Sequence, residues 1–110
     1  MKKTKIERLK NAGWKVGSAK EFLALSDEET ALIEMRLALA RHLKERRIAH
    51  ELTQDELAKQ LGSSQSRVAK MEAADATVSL DLLVRSLLVL GATRQDVGRI
   101  IGRKTAAPAA

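Results

Sequence analysis

Four times along this chain a Ser or Thr is followed three positions later by Glu: Thr4 with Glu7, Ser18 with Glu21, Ser26 with Glu29, and Thr53 with Glu56. In such a box the hydroxyl accepts from the backbone N–H three residues on, and the carboxylate reaches back to the N–H of the hydroxyl residue. Two of the donors that a helix start leaves unpaired are thereby satisfied together. The sequence therefore announces its helix starts. The first box opens a short basic helix ending near Gly13, the second a short helix through about Leu25, the third the longest helix, to about His50, and the fourth a helix that stops at Gly62. Ser63 or Ser64 caps a helix over residues 65–73, and Ser79 caps one with Leu80, Leu83, Val84, Leu87 and Leu88 that Gly91 closes; residues 93–101 suit a last short helix. In the long helix, Leu32, Met35, Leu39 and Leu43 recur at helical spacing, a stripe fit for a core or a partner surface.

Composition agrees. Trp14 and Phe22 are the only aromatic residues and Pro occurs once, so β-strands lack their preferred residues and the expected class is all-α. A 45% hydrophobic content over 110 residues suits one core. The absence of cysteine excludes disulfides, thiolate catalysis and Cys-ligated zinc, and His42 and His50 have no second ligand cluster, so no metal is expected. No nucleophile and base, carboxylate pair or phosphate loop occurs at useful spacing, so neither enzyme activity nor a cofactor is expected. No apolar run reaches about 18 residues, and the basic N-terminus leads into Ile6 and Leu9 at helical spacing, with no apolar signal-peptide core behind it. The expectation is a soluble, cytoplasmic protein with no membrane association.

The net charge of +6 favours a polyanionic partner, and its distribution says more. Residues 1–20 carry seven basic side chains against Glu7, residues 21–35 carry five acids and no Lys or Arg, and the remainder is again net positive. The basic run reads as a solvated face, and Trp14 as an anchor of a satellite core.

Residues 54–71 carry the most specific spacing. Ala58 stands where two helices crossing steeply would approach most closely, Gly62 can take the positive φ needed to leave the first helix, and Leu57, Leu61, Val68 and Met71 would hold the pair together from beneath. The reading is two helices joined by a tight turn.

With Arg47, Leu52-Thr53-Gln54, Leu57-Ala58, Leu61-Gly62, Ser64-Gln65-Ser66-Arg67-Val68 and Met71-Glu72, residues 46–91 resemble the lambda/Cro-type, or Xre, repressor family. The whole chain, through Trp14-Lys15-Val16-Gly17 before Glu21-Phe22-Leu23 and the long helix, is similar to a HigA-like subgroup of bacterial antitoxins associated with toxins that cleave messenger RNA. The resemblance implies a lambda-repressor-like helix-turn-helix bundle over residues 30–103, an N-terminal helical extension over 1–29 and a flexible tail over 104–110. It also implies double-stranded DNA as partner, a homodimer on an inverted repeat, and a ribonuclease toxin. A stand-alone repressor and a helical adaptor that binds no DNA are the competing readings.

On this resemblance the helix from Gln65 to about Ala73 enters the major groove, with Gln65, Ser66 and Lys70 as base readers. Gln can pair bidentately with adenine, Lys can donate to guanine acceptors, and Ser suits either. Arg67 reads a base or clamps a phosphate; Gln54 and Ser64 match positions that bind the DNA backbone. Arg47 and Glu72 match a structural ion pair and are not readers. The chain departs from the family after Glu72, where Ala74 replaces a frequent Gly. The following loop, Asp75-Ala76-Thr77-Val78, also lacks phosphate-gripping basic residues, leaving Thr77 or Ser79 for that role. The surplus apolar residues Leu82, Val89 and Leu90, with residues 92–103, suit the dimer contact. The acids Glu21, Asp27, Glu28, Glu29 and Glu34 suit a basic toxin, although three of them also fit the positive end of a helix dipole.

Overall fold

The structure, a computed structural model, describes residues 25–103. Five helices succeed one another: α1 (Asp27–Ala49), α2 (Gln54–Leu61), α3 (Gln65–Glu72), α4 (Leu80–Val89) and α5 (Arg94–Gly102). All regular structure among the described residues is helical, as composition leads one to expect. The expected helices from Thr4 and Ser18, Trp14 and the tail at 104–110 lie outside the described residues. The chain divides into two compact units, of which Met35–Arg103 is one; residues 1–34 and 104–110 make up the other, described only over residues 25–34, the opening of α1.

Each helix starts where a side chain replaces a missing partner. At α1, the Ser26 N–H donates to Glu29 Oε1 at 2.9 Å and the Glu29 N–H to Ser26 Oγ at 3.1 Å. At α2, Thr53 and Glu56 make the same exchange at 2.8 and 3.0 Å. Ser64 and Ser79 cap α3 and α4 by accepting from the N–H groups of Arg67 and Leu82. Thr93 forms a further box at α5 with Asp96 in place of Glu, at 2.8 and 3.0 Å. Asp27, Glu28 and Glu29 occupy the first turn of α1, where negative charge meets the exposed N–H dipoles.

The helix ends follow one rule. In α1 the Leu52 N–H returns to Arg47 O and the Glu51 N–H to Ile48 O; in α2 Ser63 returns to Ala58 and Gly62 to Lys59. In α3 Asp75 returns to Lys70 and Ala74 to Met71, and in α4 Ala92 returns to Leu87 and Gly91 to Leu88. Four successive helices thus close with the paired back-bonds of a Schellman motif. Its pivot residue needs a left-handed backbone, taken by Glu51 (φ 58°), Gly62 (65°), Ala74 (57°) and Gly91 (93°). Gly62 was recognisable from sequence; Glu51 and Ala74 adopt the conformation against the preference of their side chains.

Within Met35–Arg103 the core is continuous. Leu39 and Leu43 of α1, Leu57 of α2, Val68 and Met71 of α3, and Leu83 and Leu87 of α4 are fully buried, each contributing about 1.5–3 kcal/mol by removal from water. Ala58 is buried where α2 packs on α3, and Leu61 packs on the edge of the core. The stripe expected on α1 is only partly core, because Leu39 and Leu43 are buried whereas Leu32 is 46% exposed. One correction concerns the end of α4. Leu90 lies in the core rather than on a dimer surface, because the closing turn at Gly91 folds it inward, and Leu88 is 43% exposed. The exposed apolar side chains of α4 and α5 are Leu88, Val89 and Ile101, while Leu82 packs partly on the core. Burial lowers the pKa of His42 against the opposing pull of Glu45, with Arg41, Arg103 and Arg46 pushing the same way as burial.

Glu51→Gly and Ala74→Gly should each stabilise the fold. Relief of about 1–2 kcal/mol of left-handed strain exceeds the entropy that Gly adds to the unfolded chain, for a net gain of about 0.5–1 kcal/mol. Thermal unfolding should show a rise of a few degrees in Tm for each variant; a fall would mean that the turns are not strained. His42 predicts a pH dependence. Its folded pKa lies below the unfolded 6.5, so its stabilising contribution is complete above 6.5 and is lost as pH falls through the folded pKa. Urea titrations should show that slope in the wild type and its reduction in His42→Gln.

Candidate nucleic-acid interface

The helix pair α2–α3 is held by a polar chain as well as by the core. Arg47 Nε donates to Glu72 Oε2 at 2.5 Å and Arg47 Nη2 to Glu72 Oε1 at 3.1 Å, a two-pronged match of guanidinium to carboxylate. Arg47 Nη1 donates to Leu52 O at 2.6 Å, tying the loop before α2 to the same group. The two side chains are only 12% and 4% exposed, and the hydrogen bond that Arg47 donates to Glu72 raises the pKa of Arg47 further. The ion pair implied by the resemblance is present. It continues outward: Gln54 Nε2 donates to Glu72 Oε1 at 3.1 Å, and Gln65 Nε2 to Gln54 Oε1 at 2.6 Å.

This chain leads from the buried side of α3 to its exposed side. Val68 and Met71 point into the core, and the Ser86 hydroxyl, 3.6 Å from Met71 Sδ, stands beneath α3 while donating to Leu82 O. Residues 66, 69, 70 and 73 recur on the side away from Val68 and Met71, with 65 and 67 at its two edges. Gln65, Ser66, Arg67, Lys70 and Ala73 are exposed and Ala69 is half-buried. All four sequence-expected residues of α3 therefore share one outward face. Ala69 and Ala73 belong there too and were not singled out from sequence, since alanine carries no polar signal; on such a face a methyl group can meet the methyl of thymine.

Gln54 is half-buried at the start of α2, and Ser64 is exposed at the start of α3. Ser64 Oγ accepts the cap bond from Arg67 N–H at 3.2 Å. The loop after α3 is ordered from within: Asp75 Oδ1 accepts from both the N–H and the hydroxyl of Thr77, and the buried Val78 anchors it, its carbonyl accepting from Arg36 Nη1. The hydroxyl proton of Thr77 is thus used internally, and Ser79 Oγ serves the α4 cap. On the other helices, Asp96 accepts from Arg99 and lies 3.7 Å from Arg46, linking α1 to α5. Among the described residues no group of His, Asp and Glu could hold a metal ion, and no helix is long and apolar enough to cross a membrane.

The helix-turn-helix family model covers residues 43–97, half of the chain and all of α2, α3 and α4. Neither the curated proteins nor the solved structures give a match.

The buried pair generates a prediction about stability. Arg47→Met or Glu72→Leu alone strands a charge away from water and should cost about 3–5 kcal/mol. The double variant removes both charges and should cost less than either single change. Urea unfolding of the four proteins measures the cycle; additive losses would mean that the two groups are not coupled.

Proposed function

The chain belongs to the helix-turn-helix family and is a DNA-binding transcriptional regulator with an all-α, lambda-repressor-like fold; from that premise we propose that it is a sequence-specific repressor acting as the antitoxin of a type II toxin–antitoxin pair. The observation that carries the DNA-reading part is the outward face of α3, where Gln65, Ser66, Arg67 and Lys70 stand together on a helix locked from behind by core and ion pair. In the major groove Gln65 pairs with adenine, Lys70 donates to guanine, Ser66 adapts to either, and Arg67 serves a base or the adjacent phosphate. Gln54 and Ser64 fix the register on the DNA backbone at the starts of α2 and α3.

One such helix reads only a few base pairs, so operator-level specificity calls for a homodimer on an inverted repeat. The exposed Leu88, Val89 and Ile101 on α4 and α5 support a dimer contact there. The antitoxin part rests on the resemblance of the N-terminal motifs and on the acidic composition of residues 21–35, which suits the positive surface that a ribonuclease needs to attract phosphates.

Gln65→Ala and Lys70→Ala should each weaken binding by about 1–3 kcal/mol to a duplex selected from a random library by the wild type, and should relax its base preference at unchanged helicity. Unchanged affinity and preference in both variants would refute this reading face. The selected site should be an inverted repeat with half-site centres about 34 Å apart; one chain on a single asymmetric site would refute the dimer. If a small basic ribonuclease-like protein is encoded next to this chain, its expression alone should arrest growth and co-expression should restore it. Failure of rescue would leave a stand-alone repressor.

A further inference from the structure

A carboxylate accepts hydrogen bonds and cannot donate one. Any amide atom of Gln54 within hydrogen-bond distance of Glu72 must therefore be its nitrogen, as found at 3.1 Å. The other amide atom of Gln54, its oxygen, then faces α3, and the atom of Gln65 2.6 Å away must in turn be a nitrogen. The direction of both bonds is dictated by the ionised group at the buried end, and that group is itself held by Arg47 from two sides. Gln65 is left with its oxygen and one N–H unspent.

Resting on the base-reading role of Gln65 set out above, we propose that Glu72 is a positioning residue for base choice: by accepting from Gln54 it sets which way the Gln65 amide faces, and so makes that reader selective for adenine over guanine. Adenine offers an acceptor at N7 beside a donor at N6, which the free N–H and oxygen of Gln65 match; guanine offers acceptors at both N7 and O6, which they do not. With the relay reversed, Gln65 would spend its oxygen on Gln54 and present N–H groups alone, the pattern guanine accepts. Glu72 acts across about two side-chain lengths and touches no base itself.

Glu72→Gln tests this, because the amide keeps the size of the side chain and can still accept from Arg47. An amide there has one oxygen for the three donors that now meet the carboxylate, and its N–H₂ can itself donate to Gln54, so the variant no longer forces the Gln54 nitrogen toward residue 72 and the relay loses its fixed direction. The probe is a duplex selected by the full-length wild type, varied at the base pair whose preference Gln65→Ala flattens. The wild type should prefer adenine there by about five- to a hundredfold, and Glu72→Gln should shrink that preference over guanine severalfold without altering preference at the other pairs. In the free wild type, side-chain amide NMR should show one Gln65 N–H protected from solvent exchange, and Glu72→Gln should weaken that protection. An unchanged adenine preference in the folded variant would overturn the relay while leaving Gln65 as reader. A Gln65→Ala variant with no effect at any pair would overturn the reader and the relay together. Should Glu72→Gln not fold, the wild-type amide decides: protection of the Gln65 N–H supports the relay, and free exchange of both protons overturns it.

Discussion

The Arg47–Glu72 pair joins the end of α1 to the end of α3, and the placement of the outward face of α3 depends on it. A buried charge pair gives little net stability compared with an apolar pair of the same size, because both ions lose water. What it supplies here is geometry. The planar guanidinium meets the carboxylate on two sides and spends its third nitrogen on Leu52 O, so one side chain sets α1, the entry to α2 and the C-terminal turn of α3 relative to one another. Gln54 and Gln65 then extend the constraint to the surface.

Around that pair the fold is assembled from short helices that would not persist alone. Eight-residue helices such as α2 and α3 are well below the length at which isolated helices are stable in water, so their termini and their buried faces must supply what length does not. The side-chain caps serve the first turns, and the repeated Schellman closure serves the last turns of α1 to α4 while returning the chain toward the core. Leu90 and Ala92 are buried as a result, because the turn at Gly91 directs them inward.

The legibility of this molecule from its sequence divides along the same physical line. Helix starts were readable because a capping hydroxyl and the N–H it serves are local, so Ser26 and Thr53 with their Glu partners, Ser63 or Ser64, and Ser79 could be placed without knowledge of the fold. The ends at Glu51 and Ala74 were not, because neither residue favours the left-handed backbone and only tertiary packing imposes it. The core residues Leu39, Leu57, Val68 and Met71 followed from periodicity and spacing, whereas Leu90, expected at a dimer contact, is buried: it follows the last residue of α4, where the closing turn and not the helical period sets its direction. At the site, Gln65, Ser66, Arg67 and Lys70 were found as a set. The coupling of Gln65 through Gln54 to Glu72 was not, since it joins residues 18 and 11 positions apart that only the folded pair brings together.

The central claim is that the exposed side of α3 meets the base edges of DNA while the starts of α2 and α3 meet its backbone. Titration of the ¹⁵N-labelled chain with its selected duplex, followed through backbone and side-chain amides, addresses this most directly. The account predicts that the large shifts gather at Gln54 and from Ser64 to Ala73, with Gln65 side-chain signals among the most displaced and the buried residues of α1 nearly still. Shifts gathered on α4 and α5, with α3 unmoved, would contradict it.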